Sequence, residues 1–146
     1  MRQLQPEIFK GNSFSDERGE VLFNNDFDML PIKRCYIIRH LDKNVIRAWQ
    51  GHQIEHKYFK CINGSFVVAW KKIDNFSIPN DTNKAGFIIL QKNENNVLSI
   101  PPGYANGLKA LENNSEIMVF SDHYLDEVSD DSYRFDKNLW LDWSQF

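Results

Sequence analysis

Between Val45 and Gly64 the chain reads Val45-Ile46-Arg47-Ala48-Trp49-Gln50-Gly51-His52-Gln53-Ile54-Glu55-His56-Lys57-Tyr58-Phe59-Lys60-Cys61-Ile62-Asn63-Gly64. An arginine, two histidines and two lysines thus sit among apolar, strand-forming neighbours. Histidine titrates near neutrality and can serve as a general base. On a strand Gln50 and His52, two residues apart, share one face, so an inward face puts both in a pocket. His52 is the candidate base; its alternative is a polar residue satisfied near a strand end. His56 falls in the following loop and reads as structural, and His40 and His123 have weaker claims. An arginine inside an apolar strand is costly to bury unpaired, which favours a ligand-holding role for Arg47. Reactive side chains set inside two apolar strands point to a site lining a β-barrel rather than a surface loop.

The elements that must position these groups are short strands punctuated by turns. Phe9 and Phe14, with Gly11-Asn12-Ser13 between them, read as an opening arm, and Val21-Leu22-Phe23 follows the turn signal Asp16-Glu17-Arg18-Gly19. Ile32 to Arg39 is rich in β-branched and aromatic residues. The Asn63-Gly64 dipeptide is a hairpin signal leading into Phe66 to Trp70. Residues 74–86 form a polar loop, Phe87 to Leu90 a short strand, and Val97 to Ile100 another, ended by Pro101-Pro102. Leu108 to Leu111 and Glu116 to Ser121 complete the set. From Asp122 to Phe146 the chain is acidic but carries Tyr133, Phe135, Trp140 and Trp143, so it is expected to pack back on the barrel or on a neighbouring subunit. Short strands without an amphipathic helix before the tail indicate an all-β sandwich or barrel.

At 146 residues with 42% apolar and 25% charged composition, the chain is long enough for one packed core and too apolar for a disordered chain. Eleven phenylalanines lean towards β structure. A net charge of -3 and the absence of a basic run give no basis for nucleic-acid binding. No apolar run reaches membrane-span length, and Met1 to Glu7 lacks the apolar core of a signal peptide, so the expected location is the cytoplasm without a membrane partner. Cys35 and Cys61 read as reduced residues with no chemistry.

Two segments narrow the fold. Gln50-Gly51-His52, Lys57 and Gly64 keep the spacing of a first cupin motif, and Pro101-Pro102-Gly103-Tyr104-Ala105-Asn106 that of a second. The chain resembles the cupin sugar-nucleotide enzymes of deoxysugar biosynthesis, the dTDP-4-dehydrorhamnose 3,5-epimerases and dTDP-4-keto-6-deoxyglucose 3,4-ketoisomerases. Asp16-Glu17-Arg18-Gly19 and Ile100 to Gly107 look like epimerase elements. Pro31-Ile32-Lys33-Arg34-Cys35-Tyr36 and the following histidine run look like the ketoisomerases.

The resemblance implies a jelly-roll barrel, a homodimer, and proton transfer beside the keto group of a dTDP- or UDP-linked 4-keto-deoxysugar. It maps His52 onto the second histidine of a His-x-His pair and Lys57 onto an enolate-supporting lysine. It maps Arg18 and Arg47 onto substrate and phosphate anchors, and Asp136 onto the aspartate that orients the epimerases' base. Gln50 stands where the epimerases carry their base, Asn106 where the second motif has histidine, and Met118 or Val119 where an acidic tyrosine is expected; Tyr36 is the candidate replacement acid. Gln50, Tyr104 and Asn106 complete the expected substrate contacts. In the metallocupin register the chain offers Gln50, His52, Lys57 and Asn106, and an ammonium there repels a cation, so neither a metal nor another cofactor is expected.

The reading is therefore a single cupin domain over residues 1–146, with a short aromatic-acidic C-terminal segment, 122–146, capable of helix. Its function is that of a metal-free sugar-nucleotide isomerase or epimerase in deoxysugar and surface-polysaccharide biosynthesis. The alternative is a cupin that kept the barrel and binds a sugar nucleotide or carbohydrate without catalysis; a third option is a structural partner of another biosynthetic enzyme.

Overall fold

The computed structural model describes residues 5–79 and 81–146. The start of the opening arm, residues 1–4, and position 80 of the polar loop lie outside them. Twelve strands follow one another among the described residues. They are β1 (Glu7–Phe9), β2 (Asn12–Asp16), β3 (Gly19–Phe23), β4 (Arg34–His40), β5 (Ile46–His52), β6 (Lys57–Asn63), β7 (Ser65–Lys72), β8 (Gly86–Gln91), β9 (Val97–Ile100), β10 (Tyr104–Ala110), β11 (Ser115–Ser121) and β12 (Tyr133–Arg134). One antiparallel sheet has the order β1-β9-β6-β11-β4 and the second the order β12-β5-β10-β7-β8, while β2 and β3 form a separate hairpin. This is the all-β, cupin-like jelly roll expected from the sequence. No helix among the described residues is long and apolar enough to cross a membrane.

Alternation on each strand explains the layers. Phe59 and Cys61 of β6, Phe66 and Val68 of β7, Leu108 of β10 and Ile117 and Val119 of β11 point inward and meet as one buried core. The opposite faces are covered too. Val67 and Ala69 of β7 and Ala105 of β10 face Trp49, Trp140 and Trp143, so the tail packs on the outer face of the second sheet. Its helical content is two single turns of 3-10 helix, Leu125–Val128 and Trp143–Gln145. On the other outer face, Tyr58, Val97 and Phe120 are covered by Phe9, Phe27 and Ile32.

One turn departs from expectation. The Asn63-Gly64 dipeptide does not close a hairpin: β6 pairs with β9 and β11, whereas β7 pairs with β8 and β10. Gly64 supplies the left-handed backbone (φ 69°), and a Cβ there would collide with the Ser115 side chain. Burial then decides the pairing. Laying Phe59 and Cys61 across the core from Phe66 and Val68 buries both sets, so the chain crosses from one sheet to the other.

Strand β5 carries the feature that matters most for the site. Along β10, Asn106 pairs with Gln50 but the next residue, Gly107, pairs with Ala48, so Trp49 is an extra residue in β5. Directly opposed residues share a face. Arg47 opposite inward-facing Leu108, Gln50 opposite Asn106 and His52 opposite Tyr104 therefore all turn inward, although 47 and 50 differ by three positions.

Candidate active site

The cavity, about 270 Å³, lies inside the barrel and includes Tyr36 of β4, Arg47, Gln50 and His52 of β5, Lys57 of β6 and Asn106 of β10 in its lining. Five of these were expected on β5, β6 and β10, and Tyr36 as the replacement acid. Arg134, on β12 opposite Gln50, also lines the cavity and was not anticipated. Arg47 and Arg134 are both exposed, and neither forms an ion pair among the described residues. Arg47 therefore escapes the burial cost expected of an arginine in an apolar strand, because it reaches the solvent of the cavity.

His52 closes β5 and is 5% exposed. Its Nδ1 lies 2.7 Å from the backbone oxygen of Asp131. A carbonyl can only accept, so Nδ1 carries the hydrogen and Nε2 keeps its lone pair. Burial, the largest influence, pulls the His52 pKa below its ordinary 6.5; the hydrogen bond that Nδ1–H donates to the Asp131 carbonyl opposes this, the Lys57 charge adds to it, and Glu55 and the Asp131 carboxylate oppose it. The imidazole is neutral at pH 7, the form a base requires.

Next to it lies an ionic cluster that the sequence did not disclose. Glu55, 3% exposed, receives Arg34 at 2.5 Å, Lys57 at 2.9 Å and the Ser121 hydroxyl at 2.6 Å on Oε1, and its Oε2 is 3.4 Å from His52 Nδ1. Burial raises the Glu55 pKa, but hydrogen bonds from Lys57 and Ser121 and the Lys57 charge outweigh it, leaving the carboxyl below its usual range. Lys57 is itself 5% exposed, not a strand-edge lysine, and donates to Tyr36 Oη at 2.9 Å. The Tyr36 ring also faces the Arg34 guanidinium at 5.3 Å and the Lys57 ammonium at 5.0 Å.

The place of the missing tyrosine on β11 is now explicit. Val119 faces the core while Met118 faces the opposite side, so neither offers an acid. Tyr36 is paired directly with Val119 on the neighbouring strand, which delivers a phenol to the same wall of the cavity.

Three expected residues stand elsewhere. Arg18 sits on the β2–β3 hairpin with its side chain 81% exposed and bound to Asp16. Within one chain it does not reach the cavity. Asp136 is exposed and accepts from the Asn138 N–H, capping a turn; the group on His52 Nδ1 is the Asp131 carbonyl instead. Tyr104, opposite His52, packs against the inner core, and burial raises its pKa. His56, expected to be structural, is buried before β6 with its ring stacked on Tyr58 at 4.4 Å and Nε2 2.6 Å from Ser99 Oγ.

His52, Glu55 and Asp131 lie close enough to share an ion. The two carboxylates are already committed, however. Asp131 accepts three backbone N–H groups, from Gln53, Ile54 and Glu55, and Glu55 is neutralised by Lys57 and Arg34. A metal would have to break these bonds beside an ammonium, so the trio does not fit one.

The fold has relatives among solved proteins. A mutant of the 3,4-ketoisomerase QdtA from Thermoanaerobacterium thermosaccharolyticum, in complex with TDP-4-keto-6-deoxyglucose, is 23% identical; the match covers 92% of this chain and 90% of that one with a TM-score of 0.69. The RmlC epimerase of Mycobacterium tuberculosis is 18% identical over 97% of this chain and 77% of that one, with a TM-score of 0.77. A 3,4-ketoisomerase from Helicobacter canadensis is 16% identical over 98% and 95%, with a TM-score of 0.66. At these identities the likeness establishes the shared fold. No curated protein matches. The sequence itself matches the family described as FdtA: WxcM-like, C-terminal, over residues 5–142, and the chain belongs to that family.

Proposed function

We propose that the protein is a sugar-nucleotide isomerase or epimerase that moves a proton beside the keto group of a dTDP- or UDP-linked 4-keto-6-deoxy sugar without a metal. His52 carries this reading: it is neutral and buried beside the cavity, with Nδ1–H tied to a carbonyl and the Nε2 lone pair left for a ligand. His52 Nε2 takes the proton from the carbon next to the ketone. The Lys57 ammonium and the Tyr36 hydroxyl stabilise the enolate oxygen. In a ketoisomerisation Tyr36 protonates that oxygen and takes back the proton of the neighbouring hydroxyl, while His52 returns its proton to the former carbonyl carbon. In an epimerisation Tyr36 protonates the original carbon from the opposite face and His52 releases its proton to solvent, from which Tyr36 is reprotonated. Arg47 and Arg134, cationic and without an ion pair among the described residues, hold the diphosphate. That the solved ketoisomerase relative carries TDP-4-keto-6-deoxyglucose supports the same ligand class here.

The experiment is incubation with dTDP- and UDP-linked 4-keto-6-deoxy sugars in deuterated water, with NMR following deuterium at the carbons flanking the ketone. Exchange with at least one of them is expected. Binding without exchange for every sugar would leave the protein a catalytically inactive sugar-nucleotide cupin, the reading that Gln50, Asn106 and Met118 favour.

The working unit we propose is a homodimer. Strand β4 is the edge of its sheet, with Ile37 49% exposed, and the β2–β3 hairpin, paired only with itself among the described strands, presents Phe14 and Val21 at 58% and 59% exposure. A second copy's hairpin laid along this edge covers both apolar sets and carries its Arg18 towards the cavity mouth. Sedimentation at assay concentration is expected to give a dimer, and Val21→Asp to shift it towards monomer. A wild-type protein that sediments as a monomer removes the dimer and the role of Arg18 with it.

A further inference from the structure

We infer that Asp131 is the positioning residue of the site: by clasping the turn after β5 it holds its own backbone carbonyl on His52 and so dictates which imidazole nitrogen faces the ligand. The inference rests on the proposed base role of His52 for its catalytic consequence, though not for its structural content.

An unusual number of hydrogen bonds converges on this one residue. Asp131 is 4% exposed although it closes an acidic run, Asp130-Asp131, that would ordinarily be solvated. Its Oδ1 accepts from Gln53 N at 2.7 Å, and its Oδ2 accepts from Ile54 N at 3.0 Å and Glu55 N at 2.8 Å. Its own N–H donates to the Val128 carbonyl at 3.0 Å, which fixes the residue from the tail side. The remaining polar atom, the carbonyl oxygen, is the one on His52 Nδ1. Three consecutive backbone amides of the turn thus depend on one carboxylate, and the imidazole lies within the same grip.

Two consequences follow from geometry. First, the second acceptor near Nδ1, Glu55 Oε2 at 3.4 Å, belongs to a residue whose backbone Asp131 also holds. Both groups that favour the Nδ1–H tautomer are set by the same clasp. Second, the clasp belongs to the tail, whose next residues pair with β5 as β12, Tyr133 opposite Gly51 and Arg134 opposite Gln50. The C-terminal segment is therefore part of the site, and not only a cover for the outer tryptophans. Without the clasp, His52 is free to rotate or to place its hydrogen on Nε2, which puts a donor where the reaction needs an acceptor.

The test is Asp131→Asn in the full-length protein. Asparagine keeps the size but replaces one acceptor oxygen by an amide that cannot accept from the turn's N–H groups. The primary readout is the nitrogen-15 signature of the His52 ring at neutral pH, which distinguishes a protonated Nδ1 from a protonated Nε2 independently of any substrate. The parent is expected to show Nδ1–H, and the variant a mixture or the Nε2–H form. In the exchange assay kcat is expected to fall on the order of 10²-fold with KM little changed, the scale of a misplaced catalytic group. Asp142→Ala serves as the control. It removes the cap over Ser144 at the far end of the same tail and is expected to leave both the ring signature and kcat as in the parent.

An unchanged His52 signature in a folded Asp131→Asn protein overturns the inference, whatever happens to activity. A parent that shows Nε2–H overturns it as well. If the signature changes as expected while the parent exchanges no deuterium with any sugar, the positioning stands and the proposed reaction is what fails.

Discussion

His52→Ala is expected to lower deuterium exchange at the carbons flanking the ketone by about 10²–10⁴-fold, the range by which a positioned general base accelerates proton transfer. Binding of the nucleotide sugar should survive, because the arginines and the cavity walls remain. The pH profile offers an internal check. Burial holds the His52 pKa below 6.5, so the acid limb of kcat/KM in the parent should fall below that value and should disappear from the residual activity of the variant. The sign for stability runs the same way. Between the folded pKa and 6.5 the unfolded chain binds more protons at this residue, so the contribution of His52 to stability is present above pH 6.5 and is lost as the pH falls through the lowered folded value. Exchange that persists at parental rate in the alanine variant would move the base elsewhere on the cavity wall.

The second large effect concerns Glu55. Its carboxylate is the shared partner of Lys57 and Arg34, the former 6% and the latter 23% exposed in its side chain. Removing it in Glu55→Ala leaves an ammonium enclosed with a phenol and no counter-charge. A broken buried pair typically costs about 3–5 kcal/mol, well above the value of a surface ion pair. Urea unfolding of parent and variant measures the difference, and Glu55→Gln, which keeps the hydrogen-bonding shape, should lose less. If alanine costs under about 1 kcal/mol, the cluster is acting like a solvated surface pair. Activity should drop with it, since Lys57 is no longer held against Tyr36 Oη.

How much of this was legible in the chain follows from how far each argument reaches. The strands around His52 were readable because alternation is local, and two residues suffice to place Gln50 and His52 on one face. The spacing of Lys57 and Asn106 from His52 grouped them through resemblance, and all three line one cavity. Glu55 was not readable, because its partners Arg34 and Ser121 stand 21 and 66 positions away and nothing nearby distinguishes it from a turn carboxylate. The same holds for Asp131, whose run of acidic neighbours suggests solvent and whose three amide partners lie 76 to 78 positions back. Asp136 drew attention through resemblance, yet the main-chain oxygen that settles on His52 has no side-chain signature in any sequence. Asn63-Gly64 misled for a related reason. A turn dipeptide states how the backbone can bend and leaves open which sheet receives the next strand, a question that Phe59, Cys61, Phe66 and Val68 answer only collectively.

The extra residue in β5 ties these observations to slippage. Trp49 turns outward at the step, where its Nε1 donates to the Leu139 carbonyl and its backbone exchanges two hydrogen bonds with Phe135. Its ring lies against Trp140 and Trp143, each with a centroid at 5.5 Å. These contacts pin the phase of the strand. Were the step to migrate by one residue, Gln50 would trade places with a neighbour and turn outward, while His52 kept its side. The tryptophan cage thus works as a detent against sliding, and the composition of the cavity depends on packing among Trp49, Trp140 and Trp143 on the outer face of the sheet.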